Sequence, residues 1–197
     1  MLIFYGLSNN EAKYLGTKHN IGRVVVEQLA NLLHVNFTDS GQGCMVAKTK
    51  VGETEIWLIY SKGYMNTSGE PISKLIKYFK LNSTDFQMTI VQDDSDQIIG
   101  SNKIMPGGGS AGHNGIISSY LYLTSLKEQK DIWRLKIGIR PEGNRLKSET
   151  FVLSNFTQQE SQNSKDLAQI IIDNLNYFIS QNIGKLQNVI HGKNSLN

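Results

Sequence analysis

His19 stands between a polar loop at residues 9–18 and the first apolar helical pattern of the chain. An imidazole there feels the positive end of a helix dipole, which disfavours imidazolium and keeps a proton-accepting ring, the state a general base needs. Asp93 ends the apolar run QMTIVQ. It is the carboxylate best placed to hold one ring nitrogen as N–H, leaving the other to take a proton from water. Asn9, Asn66 and Asn114 add amide groups that could grip a substrate carbonyl or an oxyanion. Each of these residues also has a plainer reading, His19 as a spectator at a helix start and the asparagines as turn or cap residues.

Two rival chemistries use neighbouring strings. In DDSD, Asp93 and Asp96 could ligate Mg²⁺ through oxygen, whereas Asp94 points to the other side of an extended chain. GGGSAG could cradle phosphate on backbone N–H groups, but the Lys and Ser/Thr that complete a nucleotide-binding loop do not follow. A lid over the site is the better use for it. His113, beside those glycines, reads as a structural or gating residue and ranks below His19 as the base. Cys44 is the sole cysteine, which excludes internal disulfides and thiolate zinc clusters and suits core filling.

These groups need a scaffold, and 197 residues suffice for one domain with a single core. No apolar run approaches a membrane span, and MLIFYGL reads as a buried first strand and not as a signal peptide. A cytoplasmic protein is expected. The net charge is +3, and the basic residues are unevenly spread: Arg134, Lys136, Arg140, Arg145 and Lys147 face the single acid Glu142, a local excess of four. Such a cluster suits a polyphosphate backbone, or is simply a solvated strand face and loop.

A strand at residues 2–7 precedes a helix carrying Ile21, Val24, Val25, Leu29, Leu32 and Leu33 on one face. CMVAKTKV and TEIWLIY form a hairpin about Gly52, and Thr67 with Glu70 suggests a capping box for a helix running to about Lys80. QMTIVQ is a strand, residues 114–126 a helix, WRLKIGIR a half-buried strand and residues 158–181 a long helix, with a tail at 184–197 that could fray. Alternating strands and helices predict an α/β single domain spanning 1–197, with a twisted, mostly parallel mixed central sheet and helices on both faces. Sites in such sheets gather beyond the carboxyl ends of the strands, where Asn9, Asn66 and Asp93 would meet.

The strings GLSNNEAKYLGTKHNIG, MNTSGEPI, VQDDSDQIIG, GGGSAGHNG and RLKIGIRP, in that order and over residues 1–156, resemble the bacterial peptidyl-tRNA hydrolase family. The resemblance implies a single α/β domain and metal-free, cofactor-free hydrolysis of the ester joining a peptide to the 3′-terminal ribose of tRNA, recycling tRNA from stalled or aborted translation. It implies His19 as the base that activates water and Asp93 as its orienting partner. Asn9, Asn66 and Asn114 would bind the peptide main chain and the acceptor end, Tyr14 and Met65 would line the cleft, and Lys103 and Arg134 would contact tRNA phosphate. The expected partner is peptidyl-tRNA, and the expected state a monomer.

The chain departs from the family pattern around these residues. Asn10-Glu11 replace Pro-Gly, Lys18 replaces Arg, residues 60–63 replace Lys-Pro-x-Thr, Ser95 replaces Leu and Ala111 replaces Gly. Met105 stands where a second basic residue is expected, and a Gly between Ile139 and Arg140 is absent; Lys136 or Arg140 would have to compensate. A catalytically silent RNA-binding module on the same fold, like the intron-splicing factors of plant chloroplasts, is the alternative function. It would not need His19, Asp93 and the three asparagines, all of which are present.

Overall fold

The first strand of the chain is the middle of the sheet. In the computed structural model, which describes residues 1–127, 129–143 and 147–193, β1 (Leu2–Gly6) pairs in parallel with β4 (Thr54–Ser61) on one side and β5 (Gln87–Ile98) on the other. β5 pairs in parallel with β7 (Ile132–Arg140). Both flanks turn antiparallel: β2 (Thr38–Asp39) and β3 (Cys44–Val51) beyond β4, β6 (Ser101–Pro106) and β8 (Gly192–Lys193) beyond β7. Among the described residues the order is therefore β2-β3-β4-β1-β5-β7-β6-β8, a mixed sheet with a parallel centre.

Strand periodicity separates two cores. Leu2 and Phe4 face Val25 and Val26 of α1 (Ile21–Leu32) and Phe178 of the C-terminal helices. Ile3 and Tyr5 face Ile72 and Leu75 of α2 (Gly69–Tyr78) and Ile116 of α3 (Asn114–Leu123). A one-residue slip of β1 would exchange every one of these side chains, so the helices on the two faces hold its register. The expected single α/β domain with helices on both faces is the architecture found.

Several elements differ from expectation. β5 continues beyond QMTIVQ to Ile98, and the unexpected β6 pairs antiparallel with the outer side of β7. β7 is not half-buried; Trp133, Arg134 and Leu135 are all buried, because a strand covered on both sides loses polar alternation. Thr67 and Glu70 form no capping box: Thr67 closes a one-turn 3₁₀ segment (Met65–Thr67) through its hydroxyl to the Tyr64 carbonyl, and α2 starts after Ser68.

The C-terminal third contains α4 (Ser148–Phe151), α5 (Gln158–Asp173), α6 (Leu175–Ile179) and α7 (Ile183–Ile190). The long helix expected over 158–181 breaks at Asn174, whose side chain donates to the Ile170 carbonyl and caps α5. In the tail, Leu186 and Ile190 are buried, and His191 and Gln187 bond the Ile104 backbone of β6. Residues 194–197 lie outside the described residues, as does Arg145 of the basic cluster.

Candidate active site

The end of β1, the middle of β5 and the start of α1 meet because two glycines allow it. A Cβ on Gly22 would sit 2.2 Å from the Val91 carbonyl oxygen and 2.7 Å from the Leu7 nitrogen, and one on Gly6 would sit 2.4 Å from the Gly22 oxygen. No side chain fits there, so α1 abuts the sheet backbone directly. Gly22 lies three residues after His19 and Val91 two before Asp93, so this approach sets the gap between the two functional groups.

His19 Nδ1 lies 2.8 Å from Asp93 Oδ1. The same oxygen lies 2.9 Å from Nε2 of His113. The other nitrogen of His113, Nδ1, accepts the N–H groups of Gly115 and Ile116 at 3.1 and 3.4 Å, capping α3. An accepting Nδ1 carries no proton, so the His113 proton sits on Nε2 and points at Asp93. Asp93 therefore receives one N–H from each ring, and His19 keeps its Nε2 lone pair free to face the cavity.

Burial works against charge on Asp93, but His113 and then His19 outweigh it and hold the carboxyl well below the usual carboxylate range. For His19, burial pushes downward, but the hydrogen bond and negative charge of Asp93 raise it above the ordinary 6.5. This reverses the expectation that the helix terminus would dominate: a buried carboxylate at contact distance acts more strongly than a partial charge at a helix end. The ring is thus a stronger base than an isolated imidazole.

Among the described residues, His19, Asp93 and His113 are the one group with metal-ligand spacing. The tautomer of His113 argues against that use, since its only nitrogen near Asp93 is an N–H donor. Nor does DDSD converge. Asp94 turns to the opposite side of the strand, pairing with Lys136 at 2.7 Å and accepting from Gln97 and the Asp96 N–H, while Asp96 is exposed.

A model of the family described as peptidyl-tRNA hydrolase matches residues 3–197. The chain belongs to that family. Peptidyl-tRNA hydrolases from Corynebacterium efficiens and Desulfitobacterium hafniense are 36% and 34% identical over 81% of this chain, covering 85% and 83% of their own lengths. The rice mitochondrial peptidyl-tRNA hydrolase is 34% identical over 81% of this chain, which spans 62% of that longer protein. The crystal structure of peptidyl-tRNA hydrolase from Acinetobacter baumannii shares the fold, with a TM-score of 0.80 at 23% identity, covering 98% of this chain and 94% of the other. The family comprises carboxylic ester hydrolases that serve tRNA recycling in translation.

A cavity of about 230 Å³ at the carboxyl end of the sheet in this peptidyl-tRNA hydrolase family member has His19, Asp93, His113, Asn114 and Lys136 among its lining residues. Asn114 also borders a second cavity, of about 220 Å³, which Asn66 lines as well. Arg134 also lines the first cavity, whereas Asn9, Tyr14, Met65 and Lys103 lie outside both. Asn9 spends its side-chain oxygen on the Glu11 N–H, and its own N–H and carbonyl are held by Asn20, the residue after His19. Tyr14 offers its carbonyl to Asn20, and its half-buried ring carries Lys13. Met65 does not line the cleft: it is buried, its sulfur under Gly115, and supports the start of α3 from below.

Lys103 is exposed and sits opposite Lys136 across the β6–β7 ladder, on the sheet face away from α1. Arg134 corrects the expectation of a surface phosphate contact. It is 1% exposed, its Nε donating to Gln92 and its Nη1 to the carbonyls of Gly108 and Gly109, so it anchors the glycine loop. Met105 packs beneath the same loop at Gly108. Lys136 is taken by Asp94, and Arg140 donates to the Ser95 carbonyl and stacks on Phe151.

Sequence reasoning underrated His113 and missed the pair Lys18–Glu160. Lys18 Nζ and Glu160 Oε1 are 2.7 Å apart, both side chains nearly buried, while Glu160 Oε2 accepts the Thr157 N–H in a true capping box. Lys18 and His19 also donate their backbone N–H groups to Ser154 and Val152, so the base is strapped to the segment before α5 on both sides of one peptide. The Thr157–Glu160 spacing was the available signal.

Proposed function

We propose that this chain hydrolyses the ester between a peptide, or an N-blocked aminoacyl group, and the 3′-terminal ribose of tRNA, with His19 as general base and no metal. The carrying observation is the His19–Asp93 contact of 2.8 Å, which leaves Nε2 facing a cavity bordered by Asn114. Nε2 takes a proton from water as the water oxygen bonds the ester carbon. The collapsing intermediate expels the ribose oxygen, and the proton on Nε2 goes to it. Asp93, held ionised, stabilises the imidazolium between the two steps. His113 fixes Asp93 through Nε2–H. An aminoacyl ester is already activated, so one base, one orienting carboxylate and a few amides suffice without a Lewis acid.

Asn66 and Asn114 would hold the peptide carbonyls, so aminoacyl-tRNA with a free α-ammonium is spared. Asn9 acts through Asn20 by holding the loop that carries His19, and exposed Lys103 meets acceptor-stem phosphate. Every group in this scheme comes from one chain, and a monomer acting in the cytoplasm satisfies it. The test is release of tRNA from N-acetyl-aminoacyl-tRNA, with and without chelator, by the intact protein and by His19→Ala. The chelator should change nothing, and the variant should lose about 10²–10⁴-fold, the range of a lost general base. Equal rates in the two proteins would remove His19 from the mechanism. RNA binding without cleavage would favour the silent RNA-binding module instead.

A further inference from the structure

α3 is short and apolar on both sides. Ile116 and Leu123 are buried against the sheet, yet Ile117, Leu121 and Tyr122 lie on its outer side at 49%, 73% and 37% exposure. A solvent-facing helix surface is normally polar, and a contiguous apolar patch marks a surface with a partner. Ile117, Leu121 and Tyr122 line the second cavity together with Asn66, Glu70 and Asn114. Glu70 is paired with Lys74 at 2.8 Å and brings no lone charge to the rim. The cavity is smaller than the ~300–1,000 Å³ of a drug-sized ligand site and has the scale of amino-acid side chains.

What covers this patch follows from its continuity with the reaction centre. Asn114 borders both cavities, so a chain leaving the ester carbon on the acyl side has an open path along α3. At about 1.5 Å of rise per residue, Ile117 lies about 4–5 Å and Leu121 about 10 Å along the axis from Asn114. An extended peptide advances about 3.3–3.6 Å per residue. The residue one position upstream of the ester-linked amino acid thus comes level with Ile117, and the one three positions upstream with Leu121.

We propose that the outer face of α3 is a side-chain subsite for the nascent peptide, selecting apolar residues one and three positions upstream of the ester-linked amino acid. This rests on the reading of the first cavity as the ester-cleaving site. Asn66 and Asn114 hold the main chain at the junction, and Ile117, Leu121 and Tyr122 remove apolar side chains from water. Acidic side chains at those positions lose that burial and must shed their hydration on an apolar wall.

The experiment compares kcat/KM for N-acetyl-alanyl-tRNA with that for N-acetyl-tetrapeptidyl-tRNAs carrying either leucine or aspartate one and three positions upstream of the ester-linked residue, and alanine at the other two. Leucine should exceed aspartate by about tenfold, the discrimination a small apolar pocket supplies. Ile117→Asn and Leu121→Asn should each cut that ratio severalfold, whereas Tyr78→Ser, at an exposed residue off both cavities, should leave it intact. Equal kcat/KM for leucine and aspartate, or a preference that survives both Asn variants, overturns the proposal. Should even N-acetyl-alanyl-tRNA resist cleavage, the ester-cleaving reading fails separately. The subsite is then judged by amide chemical-shift changes on titration with N-acetyl-Leu-Ala-Leu-Ala-amide: shifts centred on residues 117–122 support it, and their absence overturns it. Concentration-dependent shifts there without peptide would assign the patch to a second copy of the chain and also overturn it.

Discussion

Lys18→Met tests how the base is held. Lys18 and Glu160 are 7% and 9% exposed in their side chains, and their atoms lie 2.7 Å apart. Glu160 has no spare partner, because Oε2 is already committed to the Thr157 N–H. Removing the ammonium leaves a buried carboxylate oxygen uncompensated, a change that costs about 3–5 kcal/mol. The residual exposure of both side chains favours the lower end, about 3 kcal/mol, which a domain with ~5–15 kcal/mol of stability survives folded. The backbone bonds of Lys18 and His19 to Ser154 and Val152 remain, so the His19 ring should loosen without departing, with kcat falling about tenfold and KM little changed. Urea unfolding of Lys18→Met, Glu160→Gln and the double variant gives the coupling. The double variant should lose about 2 kcal/mol less than the sum of the single losses. Strict additivity, or a Lys18→Met loss below about 0.5 kcal/mol, would refute the claim that this pair is the strap.

Turnover should rise with pH through a single step above 6.5, because the neutral form of His19 is the base and its folded value is raised; a midpoint at or below 6.5 in a kcat profile would contradict this. Asp93→Asn leaves burial as the main influence on His19, so the step should move acidward while the plateau falls about 10²-fold or more. Stability follows the opposite signs. The His19 contribution is complete below 6.5 and disappears as pH rises through its higher folded value, while the Asp93 contribution is present above 3.8 and disappears as pH falls through its depressed folded value. Asp93→Asn should therefore flatten the acid limb of a urea-midpoint profile taken below 3.8. Gly22→Ala puts a methyl 2.2 Å from the Val91 carbonyl oxygen and should cost more than about 3 kcal/mol, with loss of activity even where the protein stays folded; thermal unfolding with the tRNA-release assay checks both. Ala111 holds a left-handed φ of 49°, so Ala111→Gly should change stability by less than about 1 kcal/mol, relief of strain offsetting added chain freedom, measured by urea unfolding.

By itself the sequence determined what is local or periodic. The alternation that divides β1 between two cores, the apolar face of α1, the hairpin about Gly52 and the position of His19 just before α1 all follow from spacing along the chain, because strands and helices repeat every two and 3.6 residues whatever lies around them; that β5 runs on past Asp93 to Ile98 did not. Tertiary structure decided whatever depends on a partner far along the chain. His113 looked like a loop histidine until its Nε2 met Asp93, twenty residues away, and its Nδ1 met the start of α3. Arg134 reads as one more cation of a basic strand, yet packing turned it inward onto the glycine loop. Lys18 and Glu160 are 142 positions apart, and Asn174 breaks a helix whose apolar pattern continues through it. Even the direction in which the His19 proton affinity moves was set by a carboxylate that no spacing rule ranks against a helix end: electrostatic interactions depend on distance and burial in three dimensions, and neither is written in residue order.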